Sequence, residues 1–201
     1  WRSVAYALAC HPDGPIDLMS QPWCKGMNTD NDTGLKVRTA LNLAVDHQAT
    51  SDLYEGLSMN KSILFPDGSG ATKKNSDPYP YDPARAKELM VEAGYPNCFE
   101  MEMINIEGRL PRLPELAEMV ASYLQTNLGC DINIVQIDYR EWIEMSLRER
   151  APYPKGIMYA MDLGGNTTGE PVNALCLRTA SWGIHSHFAE AEVDRLCELA
   201  T

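Results

Sequence analysis

"FEMEMINI", residues 99–106, is the stretch on which the fold turns. Its first half alternates apolar and acidic side chains and its second half stays apolar, so the spacing predicts a strand over 99–106 with one face buried. Upstream, Asp82 suits a helix N-cap and Pro83 the first helical position, while Gly94 and Pro96 end the element. Ala86, Leu89, Met90 and Ala93 form one stripe along that helix. Downstream, Leu113, Leu116, Met119, Val120, Tyr123, Leu124 and Leu128 trace a second helix, closed by Gly129. "INIVQI" (132–137) reads as the next strand. Asp138 and Glu141 then fit a capping box that opens a third helix, with Trp142, Ile143 and Leu147 inward. "GIMYAMDL" (156–163) is a third strand, Ile157, Tyr159, Met161 and Leu163 alternating. Strand, helix, strand, helix, strand over 99–163 is the signature of right-handed crossovers, so the class is α/β with a parallel sheet.

The flanks are simpler. "WRSVAYALAC" (1–10) is rich in strand formers and ends at the breaker run "HPDGP" (11–15); residues 11–34 read as a long connection. Val37, Ala40, Leu41, Ala44 and Val45, followed by Leu53 and Leu57, predict one helix or two short ones up to Gly56. Residues 66–81 carry breakers and no core-building period, which places them on the surface.

The composition narrows the class of partner. Of the 201 residues 44% are hydrophobic, enough for a packed core, and no run approaches the roughly 18 apolar residues of a membrane helix. A formal net charge of -11 disfavours nucleic acid and anionic membranes, both of which repel an acidic surface. The chain opens on Trp1 and stops at Thr201 inside a helical pattern, and it reads as a piece of something longer. Cys10, Cys24, Cys98, Cys130, Cys176 and Cys197 include no CxxC pair, which offers neither a zinc site nor a redox motif. An even count permits disulfides, but the reading favoured for most of these cysteines is that of small buried hydrophobes.

In open α/β sheets ligands bind beyond the carboxyl ends of the strands, and "GGNTTGE" (164–170) follows such an end. Gly164 and Gly165 allow close backbone approach, Asn166, Thr167 and Thr168 are neutral hydrogen-bonding groups, Gly169 is a further small residue, and Glu170 is a fixed charge. The set suits a small polar ligand; equally, it suits a turn whose Thr and Glu cap the helix that follows. The lysine of a phosphate-binding GxxxxGK[ST] loop is absent. His185 and His187 stand two apart without a third ligand at usable spacing, and no GxSxG elbow or paired carboxylate marks a catalytic centre. Neither a metal, nor a cofactor, nor enzyme activity is expected.

Four segments together resemble family 5 of the extracellular solute-binding proteins of ABC importers, the dipeptide, oligopeptide and glutathione type. "LKVRTALNLAVDHQAT" (35–50) is similar to its VRxALxxAIDRxxI helix, with His47 where Arg is usual. "YPYDPARAKELMVEAGYP" (79–96) matches YDPxKAKxLLxEAGYP almost throughout, and is the most specific of the four. Residues 116–165 resemble the helix, strand, helix and strand that lead to the ligand loop, and "HFAEAEVDRLCELA" (187–200) resembles the helix after it. The resemblance implies the second, C-terminal-half lobe of the periplasmic-binding-protein-like type II fold over 1–201, the first lobe and a final C-terminal segment lying outside the chain. It also implies capture of a small polar or peptide-like solute between two lobes, delivery to an ABC permease in the membrane, and a periplasmic or extracellular location, free or tethered. The family loop commonly reads W-x-x-D-x-x-[DE]-P or W-x-x-[ST]-T-G-E. Here Gly164 stands at the aromatic position and Thr167 at the acidic one, while Thr168, Gly169 and Glu170 match the T-G-E form. Replacing a carboxylate by a hydroxyl forgoes a charge-assisted bond to a ligand ammonium of about 1.5–3 kcal/mol. Sugars and metal chelates are the rival ligands; an enzyme recruited from the same lobe and a docking or structural module without ligand are the rival roles.

Overall fold

A computed structural model describes residues 2–8, 10, 20–27, 29, 31–55, 77–108, 110–142, 157–164, 176, 177, 179–183, 186 and 189–200. In chain order the elements are β1 (Arg2–Leu8), α1 (Thr33–Leu43), α2 (His47–Asp52), α3 (Pro83–Glu92), β2 (Glu100–Ile106), α4 (Leu113–Leu128), β3 (Asp131–Ile137), β4 (Ile157–Gly164) and α5 (Ala191–Ala200).

Aspartates start α1, α2 and α3. Asp32 accepts from the Leu35 N–H at 2.7 Å, Asp46 from the Gln48 and Ala49 N–H groups at 3.0 Å, and Asp82 from the Arg85 N–H at 3.0 Å. Each satisfies a donor that the first helical turn leaves without an intrahelical partner. Pro83 follows its cap as expected, and the stripe Ala86, Leu89, Met90 and Ala93 is buried. α4 ends at Gly129, whose φ of 77° is the left-handed cap conformation that glycine adopts without a Cβ penalty. The apolar run from Leu35 resolves into two helices, α1 and α2, the second opened by the Asp46 cap.

The sheet has the order β1-β4-β2-β3. β2 runs parallel to both β3 and β4, in register Met103 to Ile134 and Met103 to Met158, while β1 lies antiparallel to β4. Its central position changes the reading of β2. Met101 and Met103 on one face and Ile104 and Ile106 on the other are all 0–1% exposed, so the strand is buried on both faces rather than one. α1, α3 and α4 supply Val37, Ala40, Met90, Leu113, Ala117 and Leu124 to the core against β2. Residues 20–27 fold back on the start of α1, where a Cβ on Gly34 would stand 2.5 Å from the Trp23 carbonyl oxygen. Only glycine admits that approach.

All six cysteines are bridged: Cys10–Cys24, Cys98–Cys130 and Cys176–Cys197, with Cα–Cα separations of 5.5, 4.8 and 5.7 Å. This corrects the reading of most of them as buried free thiols. Five of the six are below 9% exposed, as a small hydrophobe would be; burial alone does not distinguish a thiol from a bridge.

Candidate functional site

Because β2, β3 and β4 are parallel, their carboxyl ends share one edge of the sheet. Antiparallel β1 brings Arg2 to the same edge, opposite Gly164. β4 passes its last β2 partner at Tyr159 and continues over residues 160–164 beside β1 alone among the described strands. Five extended residues span about 17 Å, so β4 carries the chain well past the shared ladder. Gly164, read from the sequence as the first residue of the loop after a strand ending at Leu163, is the last residue of β4 and lies at the carboxyl edge. Gly165, Asn166, Thr167, Thr168, Gly169 and Glu170 lie outside the described residues, as do His185 and His187.

Two features of this edge escaped the sequence reading. Asn105, one residue from the end of β2, is fully buried; its Nδ2 donates to Gln136 Oε1 on β3 at 3.0 Å, while its Oδ1 has no hydrogen-bond partner among the described residues. A buried amide oxygen left without a partner costs about 1–3 kcal/mol, and native proteins keep such groups sparingly. The signal was an amide inside the apolar run "MINI". The second feature follows β3. Asp138 accepts from the Glu141 N–H at 2.8 Å, the capping half expected of it, and opens a helical turn in which Tyr139 and Trp142 stack at 5.7 Å with an interplanar angle of 17°. Tyr139 is 37% exposed, and Trp142 is half-buried against the core. Of the three residues expected inward, Trp142 is so placed; Ile143 and Leu147 lie outside the described residues.

Chemically, this edge offers hydrogen-bonding backbone, a buried amide and a flat aromatic surface. Among the described residues no three His, Cys, Asp or Glu side chains are placed to hold a metal ion, and no helix is long and apolar enough to cross a membrane. Lys36 and Arg85 hold the Glu92 carboxyl below its ordinary range, and burial pushes the Tyr54 hydroxyl up, helped by the Glu115 carboxylate.

Residues 20–183 match the family model of the bacterial extracellular solute-binding proteins, family 5, middle region. The chain belongs to that family. Among curated proteins it is 42% identical to heme-binding protein A of Haemophilus influenzae, over 96% of this chain and 37% of that protein. It is 32% identical to di/tripeptide-binding protein 1 of Pseudomonas aeruginosa over 55% of this chain and 21% of that protein. Among solved structures, AgaA of A. tumefaciens R10 in complex with agropinic acid superposes with a TM-score of 0.72 at 19% identity, over 100% of this chain and 38% of that one. HbpA2 of Haemophilus parasuis gives 0.69 at 20% identity, over 98% of this chain and 38% of that one. These establish the type II periplasmic-binding-protein fold for this α/β chain. The chain spans well under half the length of each of these proteins.

Proposed function

We propose that this chain is one lobe, over 1–201, of the substrate-binding component of an ABC importer, and that the whole protein captures a small polar, peptide-like solute between two lobes. Closure around the solute is a population shift toward a closed state, which then docks on the membrane permease. Ligand contact is assigned to Gly164, Gly165, Asn166, Thr167, Thr168, Gly169 and Glu170, with backbone amides and hydroxyls in place of a catalytic group. The observation that carries this reading is the family match over residues 20–183, which leads through β4 to the carboxyl edge. Three disulfides add support for a periplasmic or extracellular site, since such bonds persist in oxidising compartments. A tether to the membrane remains part of the same proposal.

A metal chelate with a flat organic ring system is the second reading. It is favoured by the 42% identity to a protein named for heme binding and by the Tyr139–Trp142 stack at the carboxyl edge. Native mass spectrometry of the protein purified without refolding separates the two. A peptide or glutathione-like adduct supports the first, a tetrapyrrole adduct with its visible absorbance the second. An empty protein that ignores glutathione, dipeptides, sugars and heme in titration sinks both.

A further inference from the structure

On the sheet face that carries Met101 and Met103, exposure changes toward the carboxyl edge. Parallel register sets Met101 beside Ile132, Met103 beside Ile134 and Asn105 beside Gln136, and partners in register share a face. Along β2 this row is buried throughout. Along β3 it runs from buried Ile132 through partly buried Ile134 to exposed Gln136. Asn105 is therefore a buried amide about one strand spacing, ~4.8 Å, from a side chain in solvent. The bond between them uses half of the Asn105 carboxamide: Nδ2 donates to Gln136 Oε1, while Oδ1 has no partner among the described residues. β2 and β3 stay paired past this point, the Glu107 N–H donating to the Ile137 carbonyl at 2.8 Å, whereas the last β2–β4 pair is Ile104 with Tyr159. Asn105 is thus the first residue of β2 beyond its pairing with β4, at the edge where open α/β sheets hold ligands.

We propose that the Asn105 carboxamide reads the main chain of a peptide-like solute, and that Gln136 is the stand-in the solute displaces. A carboxamide carries donors and an acceptor side by side. Gln136 pairs with the donor side alone. In an extended chain the N–H and C=O of one residue point the same way, so a single peptide residue complements both halves of Asn105: its C=O accepts from Nδ2 and its N–H donates to Oδ1. Gln136 is exposed, so its side chain swings out by a fast rotamer change and water takes over its bond. The exchange makes the hydrogen bond that the solute-free edge leaves unmade. An unpaired buried acceptor penalises the solute-free form, and satisfying it favours the bound one. Contact of this kind is indifferent to the side chains of the solute, as in strand addition to a sheet edge. Carboxylates on a tetrapyrrole only accept and would leave Oδ1 unpaired, so Asn105 selects a solute with peptide groups over a flat ring. The assignment rests on the proposal that a solute binds at this edge.

The test is titration of the whole protein, isotope-labelled and with its disulfides intact, with glutathione, a dipeptide and the small probe N-acetylglycine N-methylamide. Binding is read by calorimetry and by the side-chain amide signals of Asn105 and Gln136, which should shift together. Asn105→Leu is expected to weaken glutathione or dipeptide binding about tenfold or more. Gln136→Ala, which removes the competitor from an exposed position and so keeps the fold, is expected to tighten it about two- to tenfold. An Asn105 signal unmoved by the probe, unaltered affinity in Asn105→Leu, or unchanged or weaker binding in Gln136→Ala would each overturn the inference; the last would make the pair a scaffold joining β2 to β3. A protein that binds neither glutathione nor the dipeptide sinks the peptide reading of the function, and the probe, which needs only the Asn105 carboxamide, still decides this one.

Discussion

At the amino edge of the sheet, Cys98–Cys130 joins the residues just before β2 and β3, and Cys10–Cys24 joins the exit of β1 to the turn before α1. Phe99 packs there between Trp23 and Tyr95, with centroids 5.7 and 5.5 Å away. The carboxyl edge of the same sheet has none of these staples among the described residues; it has Gly164, the half-satisfied amide of Asn105 and the Tyr139–Trp142 stack. The contrast shows one sheet spending its covalent and apolar stabilisation at one end and presenting polar and aromatic groups at the other. A rigid scaffold with a chemically varied edge is how open α/β sheets hold ligands.

The largest test of this contrast removes a staple. Cys98→Ala/Cys130→Ala should cost about 3–4 kcal/mol, the chain-entropy estimate for a loop of this size, read from denaturant unfolding. Loss below 1 kcal/mol would mean that the aromatic cluster alone holds the amino edge. Next, Met103→Ala in the buried centre of β2 should cost about 2–5 kcal/mol by leaving a cavity between helices and sheet. Asp138→Ala, at the carboxyl edge, should cost about 1 kcal/mol as a lost helix cap. Asn105→Leu sharpens the comparison. It replaces a buried amide with one unpaired oxygen by an apolar group of similar size, so stability should change by less than about 1 kcal/mol while affinity for any retained solute falls. A large loss of stability would make Asn105 a scaffold residue instead. The smallest effect is pH-dependent. Glu92 has its folded pKa lowered from 4.5 by Lys36 and Arg85, so its contribution is present above 4.5 and lost as pH falls through the lower folded value. Glu92→Gln should flatten that part of the acid unfolding curve slightly, because all three groups are exposed.

Helix starts were legible because they are local. Asp82 and Pro83 act on backbone groups within three residues, and the structure keeps both where the spacing placed them. The burial of β2 was half legible. Alternation reports a strand, but whether a second face is covered depends on neighbours from elsewhere in the chain, and the apolar run "MINI" was the sign that both would be. The candidate site was legible as a position, the end of β4, through the order of elements. Its Asn105 and Tyr139 contributions were not, since neither follows a motif and each gains meaning from the edge it reaches.

By itself the sequence determined the α/β class, the start of the Pro83 helix, the Gly129 end of α4 and, through its resemblance to family 5, the family, since caps, periodicity and motifs are short-range and survive in one dimension. Tertiary structure decided what depends on residues far apart in the chain. It placed β1 antiparallel against β4, with Arg2 opposite Gly164, and chose one set of three bridges from the about 15 that six cysteines allow. It also left α5 with a single buried residue despite a strongly helical pattern. Spacing along the chain carries no record of these outcomes, because each is set by which surfaces the packed core brings together.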